Sequence, residues 1–428
     1  MAGDGSGGAA WESAETILPR YDGQSLLNLA PSICEALGVS TSGLAAPLDE
    51  AVLAPELADG VRAILLLVVD GLGRWQLDAA VGAGDAPTFA QLYEQAAGGS
   101  DTVSLSTITS VFPSSTMPAL GTLNTGLSPA AHGLLGWTVY LEEFGEAAEL
   151  ARWGPAAGHF SYLDPELGAH DPARFFGLET VHQRLGRAGV RSIAICPAPH
   201  RRSGLSGMIF QGADLPGYYA TSGALAIAEQ LLADDPGGEP LYLYVYWPSL
   251  DTVSHHRGPW GAEHDEEVAS LDFSFGRWLN RHDRRGDLLV LITADHGHVP
   301  SNPNRVVRLD HDPGLLDRLL SPPTGERRLA FLHASHGGAG DLRAHCEAHL
   351  TSVAELVDPH DLFERGLFGP GSVSAAARRR AGDLILMARG DHQFVCPFSD
   401  RQPAYPLIGN HGALDPREML VPLLAIRL

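Results

Sequence analysis

Long apolar runs recur along the chain, and helical patterns separate them. The apolar runs are VRAILLLVVDGLG at 61–73, VRSIAICP at 190–197, PLYLYVYW at 240–247, DLLVLITADHG at 287–297 and MLVPLLAIRL at 419–428. A continuous apolar run is typical of a strand that is buried on both faces of a parallel sheet. Segments between the runs, such as LETVHQRLGRAG and SGALAIAEQLLADD, have helical periodicity. This alternation predicts an α/β fold, with a doubly wound, mostly parallel sheet and helices on both faces.

Two stretches depart from this alternation. Residues 1–55 are rich in Gly, Ala and Ser, with a weak helical pattern around SLLNLAPSICEAL, and we interpret them as an N-terminal extension. Residues 304–400 contain the short strand candidates NRVVRLDH, RRLAFLHA, VAELVDP and GDLILMARG, separated by the helical segments GDLRAHCEAHL and DPHDLFERGLF. We expect this region to be a smaller α+β insertion near the functional edge of the sheet. The core would then comprise residues 56–303 and 401–428.

The net charge of the chain limits the classes of molecule that it can bind. The chain of 428 residues has a net charge of −22, which repels the phosphate backbone of nucleic acids, so we expect no nucleic-acid polymer as a partner. A small phosphorylated substrate remains compatible with this charge, because bound metal ions can reverse the local field. All 29 basic residues are Arg. The composition therefore excludes a catalytic lysine and a lysine-based phosphate loop.

The remaining bulk features indicate a soluble protein. No apolar run reaches 18 residues, so we expect no membrane span. The first 20 residues lack the basic start and apolar stretch of a secretory signal, which favours a cytoplasmic location. The four cysteines (Cys34, Cys196, Cys346 and Cys396) form no CxxC pair, so we expect reduced, mostly buried thiols. The oligomeric state is left open.

Polar residues capable of binding metal follow or precede several of the apolar runs. They are Asp70, Asp251, His255, Asp295, His296 and His411. Ligands of open α/β sheets bind outside the carboxyl ends of the strands, so we expect these six residues to converge on one edge. A lone Asp there is commonly a helix cap and a lone His is commonly solvated, but six together favour a metal site. Three carboxylates and three imidazoles exceed one tetrahedral site, and two ions sharing them would suit in-line phosphoryl displacement.

The window TITSVFPSSTMPALGTLNTG, residues 107–126, contains eight Ser and Thr residues. Taken alone, such a window is typical of a hydroxyl-capped helix start, and Ser114 or Ser115 could supply the cap. A hydroxyl in this window could also be a nucleophile, because coordination to a divalent metal can activate it. The N-terminus of the helix would in addition offer backbone N–H groups to phosphoryl oxygens.

The motifs VVDG, FPSST, TG…HG, DxxxH, ADHG and GNHG resemble, in order and context, those of the alkaline phosphatase superfamily. The resemblance is closest to its nucleotide pyrophosphatase/type I phosphodiesterase branch and covers roughly residues 60–428. In that branch the nucleophile is a Thr in an FP-[S/T]-x-T-x-P context, followed nine residues later by Thr-Gly. Thr116 fits this context, with Thr125-Gly126 at the expected distance and His132-Gly133 seven residues further on.

The resemblance implies roles for seven residues. One metal would be held by Asp70, Thr116, Asp295 and His296, and the other by Asp251, His255 and His411. The first metal would activate Thr116; the second would stabilise charge on the phosphoryl oxygens and activate water. The reaction would pass through a phospho-threonine, and the ions would be zinc, with manganese as the alternative.

One position departs from the branch. An Asn that helps to bind a phosphoryl oxygen usually lies 21 residues after the nucleophile, where this chain has Trp137. Asn124 or the Met117 backbone N–H could replace it. We expect Trp137 to pack in the core, with stacking on a base or covering the site as the alternatives. For His298, a role beside the ligands and a solvated position are equally compatible with the sequence.

We therefore predict a two-metal phosphohydrolase that cleaves phosphodiester or pyrophosphate bonds in a small phosphorylated substrate. The alternative within the superfamily is a phosphomonoesterase, phosphonate hydrolase or phosphomutase. A sulfatase is disfavoured, because no Cys-x-Pro-x-Arg occupies the nucleophile position. The alternative of another class is a non-catalytic metal-binding scaffold.

Overall fold

The computed structural model describes residues 16–165, 169–234, 239–282, 286–399 and 406–428. Its strands, β1 to β18, are Ala63–Val69, Val103–Thr109, Thr138–Leu141, Glu146–Glu149, Gly154–Pro155, Arg191–Pro197, Gly217–Tyr218, Leu241–Trp247, Leu288–Thr293, Val299–Pro300, Val306–Arg308, Thr324–Gly325, Leu329–Leu332, Ala354–Val357, Leu384–Ala388, Gln393–Val395, Gly409–Asn410 and Leu420–Arg427. Its helices, α1 to α17, are Leu29–Ala36, Pro55–Ala58, Arg74–Ala83, Pro87–Ala97, Thr116–Thr125, Pro129–His132, Pro172–Phe176, Val181–Arg187, Gly204–Ile209, Ser222–Ala233, Ser249–Arg257, Ala262–His282, Pro313–Leu316, Ala339–His349, Pro359–Glu364, Ala375–Arg380 and Pro416–Met419. Short 3₁₀ helices span Leu26–Asn28, Ala198–Arg202 and Leu309–His311.

The main sheet has the strand order β2-β18-β9-β1-β8-β6-β7 among the described residues. Strands β9, β1, β8 and β6 run parallel, so that Leu66 in β1 lies beside Tyr244 in β8 and Leu291 in β9. Strand β18 runs antiparallel to both of its neighbours, β2 and β9. The five apolar runs supply β1, β6, β8, β9 and β18, and the mostly parallel α/β sheet is confirmed. Strand β2 was not predicted, because its alternating VSLSTIT lacks a continuous apolar run.

Helices cover both faces of this sheet. Every residue of β1 and of β8 is buried, as the apolar runs require. Helices α1, α5, α8 and α9 form one group of contacting helices, and α3, α4, α10 and α12 form another. The predicted helical segments LETVHQRLGRAG and SGALAIAEQLLADD contain α8 and α10. The doubly wound arrangement therefore follows from strands that have no polar face to expose.

A second sheet has the order β14-β15-β13-β12-β3-β4-β5 in the described part of the chain. The strand candidates of the insertion contain β11, β13, β14 and β15, and its helical segments correspond to α14 and α15. The sheet also takes β3, β4 and β5 from residues 138–155, far from the insertion in sequence. The predicted domain limits stay a prediction, and residues 1–15 and 400–405, which they include, lie outside the described residues.

The segment from residue 16 to 55 packs against the core near the hydroxyl-rich window. Leu26 and Leu29 are fully buried. The Tyr21 hydroxyl accepts a hydrogen bond from the Phe112 N–H at 3.1 Å and donates to the Leu367 carbonyl at 2.7 Å. Tyr21 thus links this segment and the insertion to the start of the FPSST motif.

The cysteines and the apolar character of the helices were both considered from composition. Cys34, Cys196 and Cys346 are buried and Cys396 is half-buried, and all four are free thiols, as predicted. Among the helices that the structure describes, none combines the length and the apolar character needed to cross a bilayer.

Candidate active site

The predicted site residues lie at the edge where the parallel strands of the main sheet end, which we call the rim. Asp70 directly follows β1, and Asp295 and His296 follow β9. Asp251 and His255 lie one turn apart in α11, which follows β8. Because β1, β8 and β9 are adjacent and parallel, these residues are brought together by the order of the strands.

Thr116 and His411 reach the same rim by different routes. Thr116 is the first residue of α5, which follows β2. His411 precedes β18, whose first residues pair with the last residues of β9, for example Leu423 with Thr293. A residue before an antiparallel strand lies at the edge where its parallel neighbours end, and His411 therefore lies at the same edge as Asp295 and His296.

The first cluster consists of Asp70, Thr116, Asp295 and His296, and the His296 Nε2 is at its centre. This atom lies 3.2 Å from Thr116 Oγ1, 3.4 Å from Asp295 Oδ2 and 3.5 Å from Asp70 Oδ1. Ligand atoms at about 2.0–2.2 Å from a tetrahedral zinc ion are about 3.3–3.6 Å apart. The spacing of these four atoms suits a common divalent ion.

The second cluster consists of Asp251, His255 and His411. The His255 Nε2 lies 3.3 Å from Asp251 Oδ1 and 3.3 Å from His411 Nε2, and the third distance, from His411 Nε2 to Asp251 Oδ1, is 3.8 Å. The His411 ring stacks on the His296 ring of the first cluster, with centroids 3.7 Å apart. The two clusters are therefore adjacent, and the stacked rings of His296 and His411 form the contact between them.

The histidines of both clusters present the nitrogen that a metal needs. The Nδ1 atoms of His255, His296 and His411 donate to the backbone carbonyls of Gly409, Gly297 and Ser114 at 2.9, 3.1 and 3.1 Å. Since a carbonyl can only accept, a ring that binds in its neutral form carries its proton on Nδ1 and keeps a lone pair on Nε2. Backbone partners of this kind hold metal-binding histidines in a fixed tautomer and orientation.

Two carboxylate oxygens of the first cluster have no hydrogen-bond partner, although both are buried. They are Asp70 Oδ1 and Asp295 Oδ2, the same atoms that face His296. Burial raises the pKa of Asp70 well above its usual range, and the nearby Asp295 and Asp251 carboxylates raise it further. A cation between these oxygens would compensate both the missing partners and the repulsion. The donor set thus fits a divalent metal.

Two further side chains hold the carboxylates in place. The Tyr246 hydroxyl donates to Asp70 Oδ2, which leaves Oδ1 facing the first cluster. His298 is fully buried, and its Nε2 lies 2.8 Å from Asp251 Oδ1. Of the two roles compatible with the sequence, the structure supports a place beside the ligands and not a solvated one. Tyr246 was missed, although the tyrosines alternate along PLYLYVYW and Tyr246 is the one nearest the rim.

Glu326, on the insertion side, was not predicted by any motif. Its Oε1 accepts hydrogen bonds from the Ser115 hydroxyl and, at 2.7 Å, from the Trp137 backbone N–H. Burial raises the pKa of this carboxyl to about 7, although these two hydrogen bonds oppose the shift. Glu326 lies 211 residues from Ser115 in sequence, and no local pattern marks it.

The helix start at Thr116 differs from the predicted capping. Ser115 occupies the N-cap position, but its hydroxyl bonds Glu326 and makes no cap hydrogen bond. The Ser114 hydroxyl donates to the Ala413 carbonyl at 2.8 Å. The interpretation of these serines as side-chain caps is therefore wrong, because both hydroxyls bond to residues that face α5 from elsewhere in the chain.

Trp137 occupies the position where the branch usually has an Asn. The Trp137 side chain is 45% exposed, so the expectation that it packs in the core is wrong. Asn124 is buried inside the helix layer, where its Nδ2 donates to the Leu120 carbonyl and its Oδ1 accepts from His182 Nε2. It cannot replace the expected Asn as a donor at the rim. The Met117 backbone N–H, at the start of α5, remains the candidate donor.

Two cavities meet at Thr116, and Trp137 and Asp251 line both. The larger cavity, of about 490 Å³, lies on the insertion side, where Glu326, Phe398 and other residues of the second sheet and its loops line it. The smaller cavity, of about 220 Å³, has mainly apolar walls that include Leu205 and Phe210. A substrate centred on Thr116 can therefore extend in two directions.

Comparisons with known proteins place these features in context. The family model described as type I phosphodiesterase / nucleotide pyrophosphatase matches residues 64–414. The solved structure of murine ectonucleotide pyrophosphatase / phosphodiesterase 5 superposes with a TM-score of 0.62 and 17% identity, over 85% of this chain and 87% of that one. A variant of the same murine protein, described as inactive, with a Thr-to-Ala change and in complex with AMP, has a TM-score of 0.61 and 18% identity over the same shares. Phosphonoacetate hydrolase from Sinorhizobium meliloti 1021, in complex with phosphonoformate, has a TM-score of 0.60 and 20% identity over 90% and 92% of the chains.

Proposed function

Because the chain belongs to the type I phosphodiesterase / nucleotide pyrophosphatase family of the alkaline phosphatase superfamily, and is a hydrolase of phosphoester bonds, we propose that Thr116 is its nucleophile. The observation that carries this proposal is the contact of Thr116 Oγ1 with His296 Nε2, at 3.2 Å. Only this hydroxyl of the FPSST motif lies in a metal-binding cluster, since those of Ser114 and Ser115 bond other partners.

We further propose that the first and the second cluster hold one divalent ion each. Three Asp and three His side chains suit zinc, with manganese as the alternative. When bound, such ions would lower the pKa of the threonine hydroxyl and offset charge on phosphoryl oxygens. The unpartnered oxygens of Asp70 and Asp295 and the free Nε2 lone pairs support this assignment.

In the proposed reaction the Thr116 oxygen loses its proton and forms a bond to phosphorus while the bond from phosphorus to the leaving oxygen breaks. The N–H groups at the start of α5 donate to phosphoryl oxygens. The leaving oxygen departs as an alcohol or a phosphate after taking a proton. Water then attacks the phospho-threonine, the phosphorus–Oγ1 bond breaks, and Thr116 regains its proton.

The two cavities support a substrate with a group on each side of the phosphorus, which a diester or a pyrophosphate has and a simple monoester lacks. A neighbour in complex with AMP agrees with a small phosphorylated substrate. A phosphonate hydrolase of the same fold makes phosphonate hydrolysis the second candidate. A non-catalytic scaffold is disfavoured, because all seven positions of the two clusters are filled.

Mass spectrometry of acid-quenched turnover mixtures tests the proposal. With bis(p-nitrophenyl) phosphate and metal-reconstituted protein, one p-nitrophenolate leaves and we expect a p-nitrophenyl-phosphoryl adduct on the peptide that contains Thr116, assigned to its Oγ1. Unreacted protein and a Thr116→Ala variant serve as controls and should show no adduct. An adduct on Ser114 or Ser115 would overturn the assignment of the nucleophile.

A further inference from the structure

Glu326 lies in the large cavity next to the proposed nucleophile, in a position that is fixed by two hydrogen bonds. Its Oε1 accepts from the Ser115 hydroxyl, one residue before Thr116, and from the Trp137 backbone N–H. The residue also lines the large cavity together with Thr116 and Trp137. The carboxyl group therefore borders the cavity that opens at Thr116.

This carboxylate belongs to neither of the two clusters. The three Asp side chains of the clusters face metal-binding atoms, whereas Glu326 faces a hydroxyl and an amide. It nevertheless interacts electrostatically with His296 of the first cluster and Asp251 of the second. Above its pKa of about 7, Glu326 thus adds a negative charge to the site beyond the six Asp and His side chains of the clusters.

A negative charge on Glu326 repels phosphodiesters and phosphomonoesters to different extents. A phosphodiester carries one negative charge near neutral pH, whereas a phosphomonoester carries nearly two. At an effective dielectric constant of about 20 and a separation of several ångströms, each additional unit of like charge weakens binding by roughly tenfold or more. A monoester therefore experiences about twice the repulsion that a diester experiences.

We propose that the Glu326 carboxylate selects singly charged phosphodiesters against doubly charged phosphomonoesters. The inference rests on the proposed function, in which Thr116 attacks a phosphoester at this rim. Glu326 is a specificity-determining residue and takes no part in bond making. Arg327 also lines the cavity, but its Nη1 donates to Gln393 Oε1 at 3.2 Å.

The substitution Glu326→Gln tests the inference with little change in shape. The amide oxygen of Gln can still accept from Ser115 and Trp137, while the charge is removed. The matched control is Glu149→Gln, because Glu149 lines the same cavity and its carboxylate pairs with Arg152 at 2.9 Å. Both variants and the unmodified holoenzyme are assayed at about pH 8.5, above the pKa of Glu326.

Two measurements are made on each protein. The first is kcat/KM for p-nitrophenyl phosphate and for bis(p-nitrophenyl) phosphate, and we expect Glu326→Gln to raise the monoester-to-diester ratio by about tenfold or more. The second is calorimetric binding of phenylphosphonate, a dianion, and of its monomethyl ester, a monoanion. We expect Glu326→Gln to tighten binding of the monoanion about tenfold and that of the dianion about a hundredfold, with Glu149→Gln leaving both ratios unchanged.

The outcomes separate this inference from the proposed function. An unchanged ratio in Glu326→Gln, in either measurement, overturns the inference while diester hydrolysis by the unmodified enzyme upholds the function. An equal change in Glu149→Gln also overturns it, because general cavity charge would then be the cause. Absence of hydrolysis of both esters contradicts the proposed function, and the two phosphonates still decide whether Glu326 discriminates by charge.

Discussion

Two adjacent hydroxyls at the start of α5 contact different parts of the molecule. Ser115 Oγ donates to Glu326 across the cavity, whereas Thr116 Oγ1 faces His296 Nε2. Ser115 has extended backbone at φ −145° before the helix begins, and Thr116 is the first helical residue. This change of backbone conformation between the two residues directs their side chains apart. The side chain that lies within the cluster is the one that can approach a phosphorus atom there.

Substitutions in this pair have distinct expected effects. Thr116→Ala removes the proposed attacking oxygen, so kcat/KM for bis(p-nitrophenyl) phosphate should fall by about 10³-fold or more. Thr116→Ser keeps an oxygen in place and should retain measurable turnover. Ser115→Ala removes one donor to Glu326, and we expect a loss below about tenfold. Steady-state kinetics on metal-reconstituted proteins measure all three.

Ser114 provides the control for stability. Ser114→Ala leaves the buried Ala413 carbonyl without its donor and should lower the free energy of unfolding by about 1–3 kcal/mol, with turnover retained. If Ser115→Ala or Ser114→Ala abolished turnover as completely as Thr116→Ala, the assignment of the nucleophile would be wrong.

At the scale of elements, the loop between β17 and α17 carries His411 to the rim. Gly412, the next residue, has φ +123°, which residues other than glycine rarely adopt. A Cβ atom there would lie 2.9 Å from Glu326 Cβ and 3.2 Å from its Cγ. The close approach of this loop to the insertion therefore depends on the absence of a side chain.

Gly412→Ala should therefore disturb both the fold and the second cluster. We expect a loss of at least about 1 kcal/mol in the free energy of unfolding, from the backbone conformation and the collision together. Because His411 is adjacent, less than the full complement of metal should be bound. Urea denaturation and elemental analysis measure the two effects.

Gly371→Ala is the matched control. Gly371 also has positive φ, +95°, but an added Cβ would meet nothing within 4 Å. This variant should show the backbone cost alone, of about 1 kcal/mol, and keep its metal content. Equal metal loss in both variants would contradict the role of the close contact with Glu326.

At the scale of the whole molecule, a buried histidine connects α5 to its neighbours. The His182 Nε2 in α8 donates to Asn124 Oδ1 in α5 at 2.9 Å, and its Nδ1 accepts from the Ser192 hydroxyl in β6 at 2.6 Å. The ring is fully buried, and burial lowers its pKa to about 3. Between pH 6.5 and about 3 the unfolded chain therefore binds a proton at His182 that the folded protein does not bind.

This difference makes stability fall as the pH is lowered from 6.5. His182→Gln removes the titrating group, so the stability lost between about pH 7.5 and 5 should be smaller than in the unmodified protein by about 2 kcal/mol. Urea denaturation at the two pH values measures the difference. The variant should be less stable than the unmodified protein at pH 7.5, because the ring's packing is lost.

His360→Gln serves as the control, because this residue is exposed. It should leave the pH dependence of the unfolding free energy unchanged. An identical pH dependence in His182→Gln and in the unmodified protein would contradict a neutral, buried His182.

Much of the fold and of the site's composition could be predicted from the sequence. Apolar runs such as 61–73 have no polar face, so burial on both sides is their stable solution, and this determined the parallel sheet. Asp70 and Asp295 come directly after the apolar stretches AILLLVV and LLVLITA within such runs, and strand ends of a parallel sheet share one edge. Strand β2 and the partners of Ser114 and Ser115 were missed, because alternation and local hydroxyl patterns are compatible with several structures.

The sequence by itself determined the sheet, the rim and the types of side chain that gather there, because burial and alternation act on neighbouring residues. Only the tertiary structure decided that β18 runs antiparallel, which brings His411 to the same edge as Asp295. Only it placed Glu326 against Ser115, 211 residues away, and left Trp137 exposed between two cavities. Such contacts depend on how separate elements pack, and hydrogen bonds between distant side chains leave no period or spacing in the chain.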